Sequence, residues 1–237
     1  MTIRKNNSRR DGMKMDIEGI FLDSSDVTEI KRFHEMGIIR GVTTNPTIMK
    51  KDGNTDIKKT IVEICELVNP YPVSVEVTTN DSQEAFEQAV EFSTWAENIN
   101  IKITIHGPNG EPNLKLINDL SQQGIEVNVT AMMSVQQCYL AASAGASYVS
   151  LFGGRVNNMG YDSKKEIAKL RILLVEHDLP AKIIVGSVRE QFNVMEWLEN
   201  GAHIVTVPPH ILEGMYVHPY TKETVQMFLK DAEALNE

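Results

Sequence analysis

A chain of 237 residues, 42% hydrophobic and 23% charged, can bury a full core and falls in the range where an α/β barrel forms one domain. Its formal net charge of -9 argues against broad binding to nucleic acid or anionic membranes, which need basic surface, and leaves small-molecule chemistry in front. The two cysteines, Cys65 and Cys138, sit in stretches of helical period and can build neither a disulfide framework nor a zinc cluster, so a cytoplasmic location is expected.

Residues 1–17 carry Arg4, Lys5, Arg9, Arg10 and Lys14 with no apolar run behind them, and read as a disordered or loosely packed lead-in. No apolar stretch approaches the roughly 20 residues that span a bilayer. From residue 18 to 237 a single domain is expected, in which short β-branched runs alternate with longer stretches of helical period. Eight strands are predicted, at 19–23, 41–44, 73–78, 99–104, 125–130, 148–151, 182–185 and 203–207, with seven helices in the intervals. The stretch 81–97 puts Ala85, Ala89, Phe92 and Ala96 on one helical face and opens with Asp81 three before Glu84, a capping-box spacing. Ser163 and Glu166 repeat that spacing ahead of a stripe through Ile167, Leu170 and Leu174. Two more helices, 209–215 and 221–235, follow the last strand. Eight βα units with no linker predict the α/β class and a (β/α)8 TIM barrel with an extra C-terminal helix.

Successive strand side chains point to opposite faces, so each strand of a barrel can be phased into an outward and an inward set. In the fourth strand Ile99, Ile101, Ile103 and Ile105 share one face and belong under the helices, which sends Asn100, Lys102 and Thr104 inward. The third strand turns Ser74, Glu76 and Thr78 inward against Val73, Val75 and Val77, and the fifth turns Asn128 and Thr130 inward against Val127 and Val129. Asp23 ends the first strand and Asn45 follows the second, so Asp23, Asn45, Glu76, Lys102, Asn128 and Thr130 should gather at the C-terminal mouth, where barrel enzymes place their chemistry. Burying an ammonium costs several kcal/mol unless it is paired or sheds its proton, so an inward Lys102 is a candidate amine nucleophile. The other reading of the same spacing is an ion pair between Lys102 and Glu76 that only fills the barrel.

Several segments resemble the transaldolases, in particular the short, single-barrel subfamily that also holds fructose-6-phosphate aldolase. They are Phe21-Leu22-Asp23, then Gly41-Val42-Thr43-Thr44-Asn45-Pro46-Thr47, Val73-Ser74-Val75-Glu76-Val77, Ile101-Lys102-Ile103, Val127-Asn128-Val129-Thr130, Tyr148-Val149-Ser150, Gly154-Arg155, Ser187-Val188-Arg189 and Thr206-Val207-Pro208-Pro209. The resemblance implies that Lys102 forms a Schiff base with a ketose, that Asp23 is the acid-base group, and that Glu76 and Thr130 hold a proton-shuttling water. It further implies that Asn45, Asn128 and Ser150 bind the dihydroxyacetone part of the substrate, and that Arg155, Ser187 and Arg189 take its phosphate. Arginine forks suit that anion.

Thr104 stands where relatives usually carry proline two after the lysine, the loop 106–112 is longer than usual, and Leu151 replaces the usual proline after Ser150. These departures bear on substrate range. Glu76 and Phe152 stand where aldolase members tend to have glutamine and tyrosine, which favours transfer of dihydroxyacetone between sugar phosphates over reversible aldol cleavage. Transfer with a sulfonated or deoxy sugar, and an inactive sugar-phosphate-binding protein, are the remaining readings. No cofactor or metal is expected, since His34, His177, His203, His210 and His218 lack ligand spacing and Schiff-base chemistry needs no metal. His106 reads as a solvated turn residue, Met132-Met133 as core or pocket wall, and Gly153-Gly154 as a turn at a strand end. Resemblance alone implies a homo-oligomer, a pentamer or decamer in which the C-terminal helix reaches a neighbour.

Overall fold

The computed structural model describes residues 18–235, so the expected lead-in at 1–17 lies outside the described residues. Eight parallel strands close into a barrel in chain order: β1 (Gly19–Asp23), β2 (Val42–Thr43), β3 (Val73–Glu76), β4 (Ile99–Thr104), β5 (Val127–Met132), β6 (Tyr148–Leu151), β7 (Lys182–Val185) and β8 (Ile204–Val207). The predicted spans of β1, β4, β6 and β7 coincide with the observed ones. β3 stops two residues early because Thr78 leaves the sheet: its backbone N–H and hydroxyl both donate to Gln88 Oε1. Thr78 is therefore exposed at the rim, not inside the barrel.

Among the described residues the helices are α1 (Val27–Glu35), α2 (Pro46–Lys51), α3 (Ile57–Val68), α4 (Ser82–Ser93), α5 (Leu114–Gln122), α6 (Val135–Ser143), α7 (Gly153–Asn158), α8 (Ser163–Glu176), α9 (Phe192–Glu199), α10 (Pro209–Tyr216) and α11 (Pro219–Ala234). Two of the seven intervals thus hold a pair of helices instead of one. Asp81 caps α4 by accepting from the backbone of Gln83 and Glu84, as its spacing predicts. The return half of the box is absent, because Thr79 stands between, donating to Glu84 and accepting from the Asp81 N–H. Ser163 does not cap α8. It is the first helical residue and is buried, and its Oγ accepts from Trp197 Nε1 at 2.9 Å. A buried indole N–H left without a partner costs about 1–3 kcal/mol, which outweighs a solvent-exposed cap.

The outward faces of the strands pack under the helices in one continuous core that includes Ile99, Ile101, Ile103 and Ile105, so the predicted phase of β4 is observed. A separate cluster of Phe21, Tyr148, Ile184 and Ile204 fills the barrel interior toward its N-terminal end. Gly41 makes room for it, since a Cβ there would lie 2.6 Å from the Phe21 ring. Beside this apolar cluster the interior also holds buried polar groups low on β3 and β4, where Ser74 Oγ donates to Asn100 Oδ1 at 2.6 Å. α11 stands apart: it has no buried residue, and Val225, Phe228 and Leu229 are exposed.

Candidate functional site

The C-terminal mouth opens into a cavity of about 590 Å³ whose wall contains all eleven residues singled out from the sequence. A cavity of about 570 Å³ at the opposite end, lined by Glu18, Arg40, Glu97, Glu126 and Lys182 among others, contains none of them. The mouth is the candidate site, on geometry and on the placement of chemistry in this fold.

Lys102 points inward from β4 with only 6% of its surface exposed. Its Nζ donates to the Thr44 carbonyl at 2.7 Å and lies 3.2 Å from Glu76 Oε2. The pairing follows from register, because Glu76 of β3 is the direct neighbour of Lys102. The ion pair that was one of two readings of the sequence is thus present. A buried pair is weak evidence for a stabilising role, since desolvation of both ions offsets their attraction.

Asp23, at the end of β1, accepts from Thr43 Oγ1 at 2.7 Å. Burial pushes its carboxyl above the ordinary value, against the opposing pull of the Lys102 charge and the Thr43 hydrogen bond. Asn45 serves twice: its Oδ1 caps α2 by accepting from the Ile48 N–H at 2.9 Å, which leaves its amide N–H groups for the cavity. Asn128 is fixed from both sides, accepting from Ser150 Oγ at 2.7 Å and donating to Ser74 Oγ at 3.1 Å. Thr130 lines the same wall. Just past it, Ala131 has φ 59°, a left-handed conformation costly for alanine, and the β5–β6 register shifts between Val129 and Met132. This bulge restores Met132 to the outer core, so of the Met132-Met133 pair Met132 is core.

At the rim, Arg155 of α7 lies over the Phe152 ring at 5.3 Å and lines the cavity together with Ser187 and Arg189. Ser187 has φ 61°. Gly154 is not a turn glycine: it lies inside α7, and a Cβ on it would meet the Ser187 carbonyl oxygen at 1.8 Å. Its lack of a side chain lets α7 touch the loop after β7, which brings the two arginines to one edge. His106 is exposed, with Nδ1 2.7 Å from its neighbour's carbonyl, Gly107 O. Sequence reasoning missed Thr43, Thr206 and Ala131 as wall residues; only inward parity on their strands could have flagged the two threonines.

A family model described as Transaldolase/Fructose-6-phosphate aldolase matches residues 20–237. A "Probable transaldolase 2" of Listeria monocytogenes is 40% identical over 217 residues, covering 92% of this chain and 97% of that protein. A "Probable transaldolase" of Methanococcus maripaludis is 40% identical over 214 residues, covering 90% and 97%. Among solved structures, a thiamine phosphate pyrophosphorylase from Pyrococcus furiosus superposes with a TM-score of 0.56 at 10% identity, over 80% of this chain and 85% of that one, a likeness of fold alone.

Proposed function

The chain belongs to the transaldolase/fructose-6-phosphate aldolase family, and from that premise we propose that it is a transaldolase moving a dihydroxyacetone unit between sugar phosphates through a Schiff base on Lys102. The observation that carries this reading is the inward Lys102 amine in contact with Glu76, in one cavity with Asp23 and the two arginines.

In this reading Lys102 Nζ attacks the ketose carbonyl, and the carbinolamine loses water to give the imine. Asp23 takes the proton of the C4 hydroxyl as the C3–C4 bond breaks, the aldehyde leaves, and the electron pair is held as an enamine that attacks the acceptor aldehyde. Glu76 and Thr130 hold the water that carries protons in the carbinolamine steps. Asn45, Asn128 and Ser150 bind the three-carbon unit, while Arg155, Ser187 and Arg189 bind the phosphate. Phe152 supports transfer over simple cleavage, since an aromatic ring without a hydroxyl offers the enamine no proton.

The test is incubation with fructose 6-phosphate and borohydride, which should add a three-carbon mass to Lys102 and none to the Lys102→Ala protein. Free dihydroxyacetone accumulating without an acceptor would assign aldol cleavage instead. The same reading puts the enzyme in the cytoplasm, consistent with the buried thiols of Cys65 and Cys138, of which burial pushes the Cys65 pKa up to about 12. It also makes the enzyme a homo-oligomer, a pentamer or decamer in which α11 lays Val225, Phe228 and Leu229 on a neighbour. Sedimentation of Phe228→Glu should then show smaller species than wild type.

A further inference from the structure

The barrel closes where β8 pairs with β1, with Phe21 beside Thr206 and Asp23 beside Thr43 of β2. Three oxygens meet across that seam. Asp23 Oδ1 accepts from Thr43 Oγ1 at 2.7 Å, and Thr43 Oγ1 lies 2.5 Å from Thr206 Oγ1. We propose that Thr206 and Thr43 form a one-way hydroxyl chain that holds Asp23 in place, making Thr206 a positioning residue for the proton transfer assigned to Asp23.

The direction follows from valence. An ionised carboxylate only accepts hydrogen bonds, so the single Thr43 proton is committed to Asp23 and the Thr206 proton must go to Thr43. Both threonines are buried, at 2% and 7% exposure, where a hydroxyl left without its partner is costly and the chain has little alternative. One carboxylate oxygen is thereby anchored. The other, Oδ2, has no hydrogen-bond partner among the described residues, and with Asp23 lining the cavity it is the oxygen left to take a proton from a substrate hydroxyl. The two oxygens of one carboxyl thus have separate tasks, and the anchor comes from the first and last strands' meeting point, where each side chain is held by a different strand. Thr206 belongs to the Thr206-Val207-Pro208-Pro209 match, which carried no role in the sequence reading.

Asp23 is also faced by Lys102 of β4, which favours its ionised form, and by Glu76 of β3 and Asp52 at the end of α2, which oppose it. Replacing Thr206 changes none of these charges, so any change in the titration of Asp23 reports the chain. Removing the Thr206 hydroxyl frees Thr43 to rotate and weakens a hydrogen bond that favours the ionised form, so Asp23 should titrate at higher pH.

The inference rests on the proposed reaction for its meaning, and its test is chosen to separate the two. In protein labelled with ¹³C-carboxyl aspartate, the Asp23 signal is assigned by its loss in Asp23→Asn and followed against pH in wild type, Thr206→Val and Thr206→Ser. Thr206→Val should titrate at higher pH than wild type, with the acidic limb of kcat moved the same way, kcat at neutral pH lower by about tenfold, and KM nearly unchanged. Thr206→Ser should restore both; Thr206→Ala replaces the valine protein if that one melts early. An unmoved Asp23 titration in the hydroxyl-free protein, or a serine protein as impaired as it, overturns the proposal. A moved titration in an enzyme that turns over no ketose phosphate leaves the hydroxyl chain standing and removes the reaction.

Discussion

The most informative single substitution is Gly154→Ala. The added methyl would sit 1.8 Å from the Ser187 carbonyl oxygen, whereas real Cβ contacts are essentially never under 3.0 Å, so α7 and the loop after β7 must part by more than 1 Å. Gly154 has an ordinary helical conformation, so alanine brings no backbone penalty of its own and the clash is the whole perturbation. The displaced groups are Arg155 on one side and Ser187 with Arg189 on the other, none of which touches Lys102. A displacement of about 1 Å in a substrate-positioning group costs on the order of 10²-fold in rate, equivalent to about 2.7 kcal/mol. The assay compares two donors: kcat/KM for fructose 6-phosphate should fall by about 10²-fold, while borohydride trapping of neutral dihydroxyacetone on Lys102 stays within about threefold of wild type. Equal losses on both would mean the barrel itself is disturbed, and no loss on either would mean the close approach positions nothing; each refutes the reasoning.

Three further substitutions read the site and its support. Asp23→Asn should lower turnover by roughly 10²–10⁴-fold, the usual worth of a positioned acid-base group. It should also raise thermal stability near neutral pH: burial holds the folded Asp23 carboxyl above its ordinary value, so its ionisation opposes folding, a penalty absent in acid and present once pH rises through the folded value. Melting curves of the two proteins should therefore converge in acid and separate as pH rises; parallel curves would contradict the assignment. Glu76→Gln removes the charge 3.2 Å from Lys102 Nζ and should cost about 1.5–3 kcal/mol in urea denaturation, whereas a change below about 0.5 kcal/mol would show the pair to be energetically idle. Ser163→Ala leaves the buried Trp197 N–H without its acceptor and should destabilise by about 1–3 kcal/mol with kcat unchanged.

The alternation of β-branched runs with stretches of helical period carried the fold, and inward-outward parity carried half of the site. It needed only the alternation around Lys102, Glu76 and Asn128, because a strand one residue out of phase would bury its polar set under helices. It failed where tertiary contact decides. Ala131 is not a residue type that advertises a left-handed bulge, so nothing local showed that β5 runs on through it to Met132, two residues past the predicted end at 130. Ser163 has the spacing of a cap, yet a tryptophan 34 positions away takes its oxygen. The Gly154 contact is invisible in sequence because its partner, Ser187, lies on another loop. The arginines illustrate the limit from the other side: taken one by one, Arg155 and Arg189 read as solvated surface residues, and only the ordered family motifs marked them.

The two readings of Lys102, nucleophile or structural ion pair, stop being alternatives once Glu76 is located. A lysine that attacks a carbonyl must pass a proton to a neighbour, and Glu76 is the carboxylate within 4 Å of its Nζ among the described residues. A partner meant only to neutralise the amine would be sealed in the core, but the Glu76 side chain keeps 19% of its surface exposed. It borders the main cavity and also two smaller ones, of about 250 and 310 Å³, that flank β3 on either side of it. The second of these is lined by Thr78, Thr79, Asn80, Thr104 and Asn113, side chains able to hydrogen-bond water. A carboxylate so placed touches the amine on one side and polar, accessible volume on the other, the position that proton exchange requires and a filling role does not. In the proposed reaction the ion pair is the resting arrangement of a proton-transfer couple, and that role is read from how turnover, more than stability, responds to Glu76→Gln.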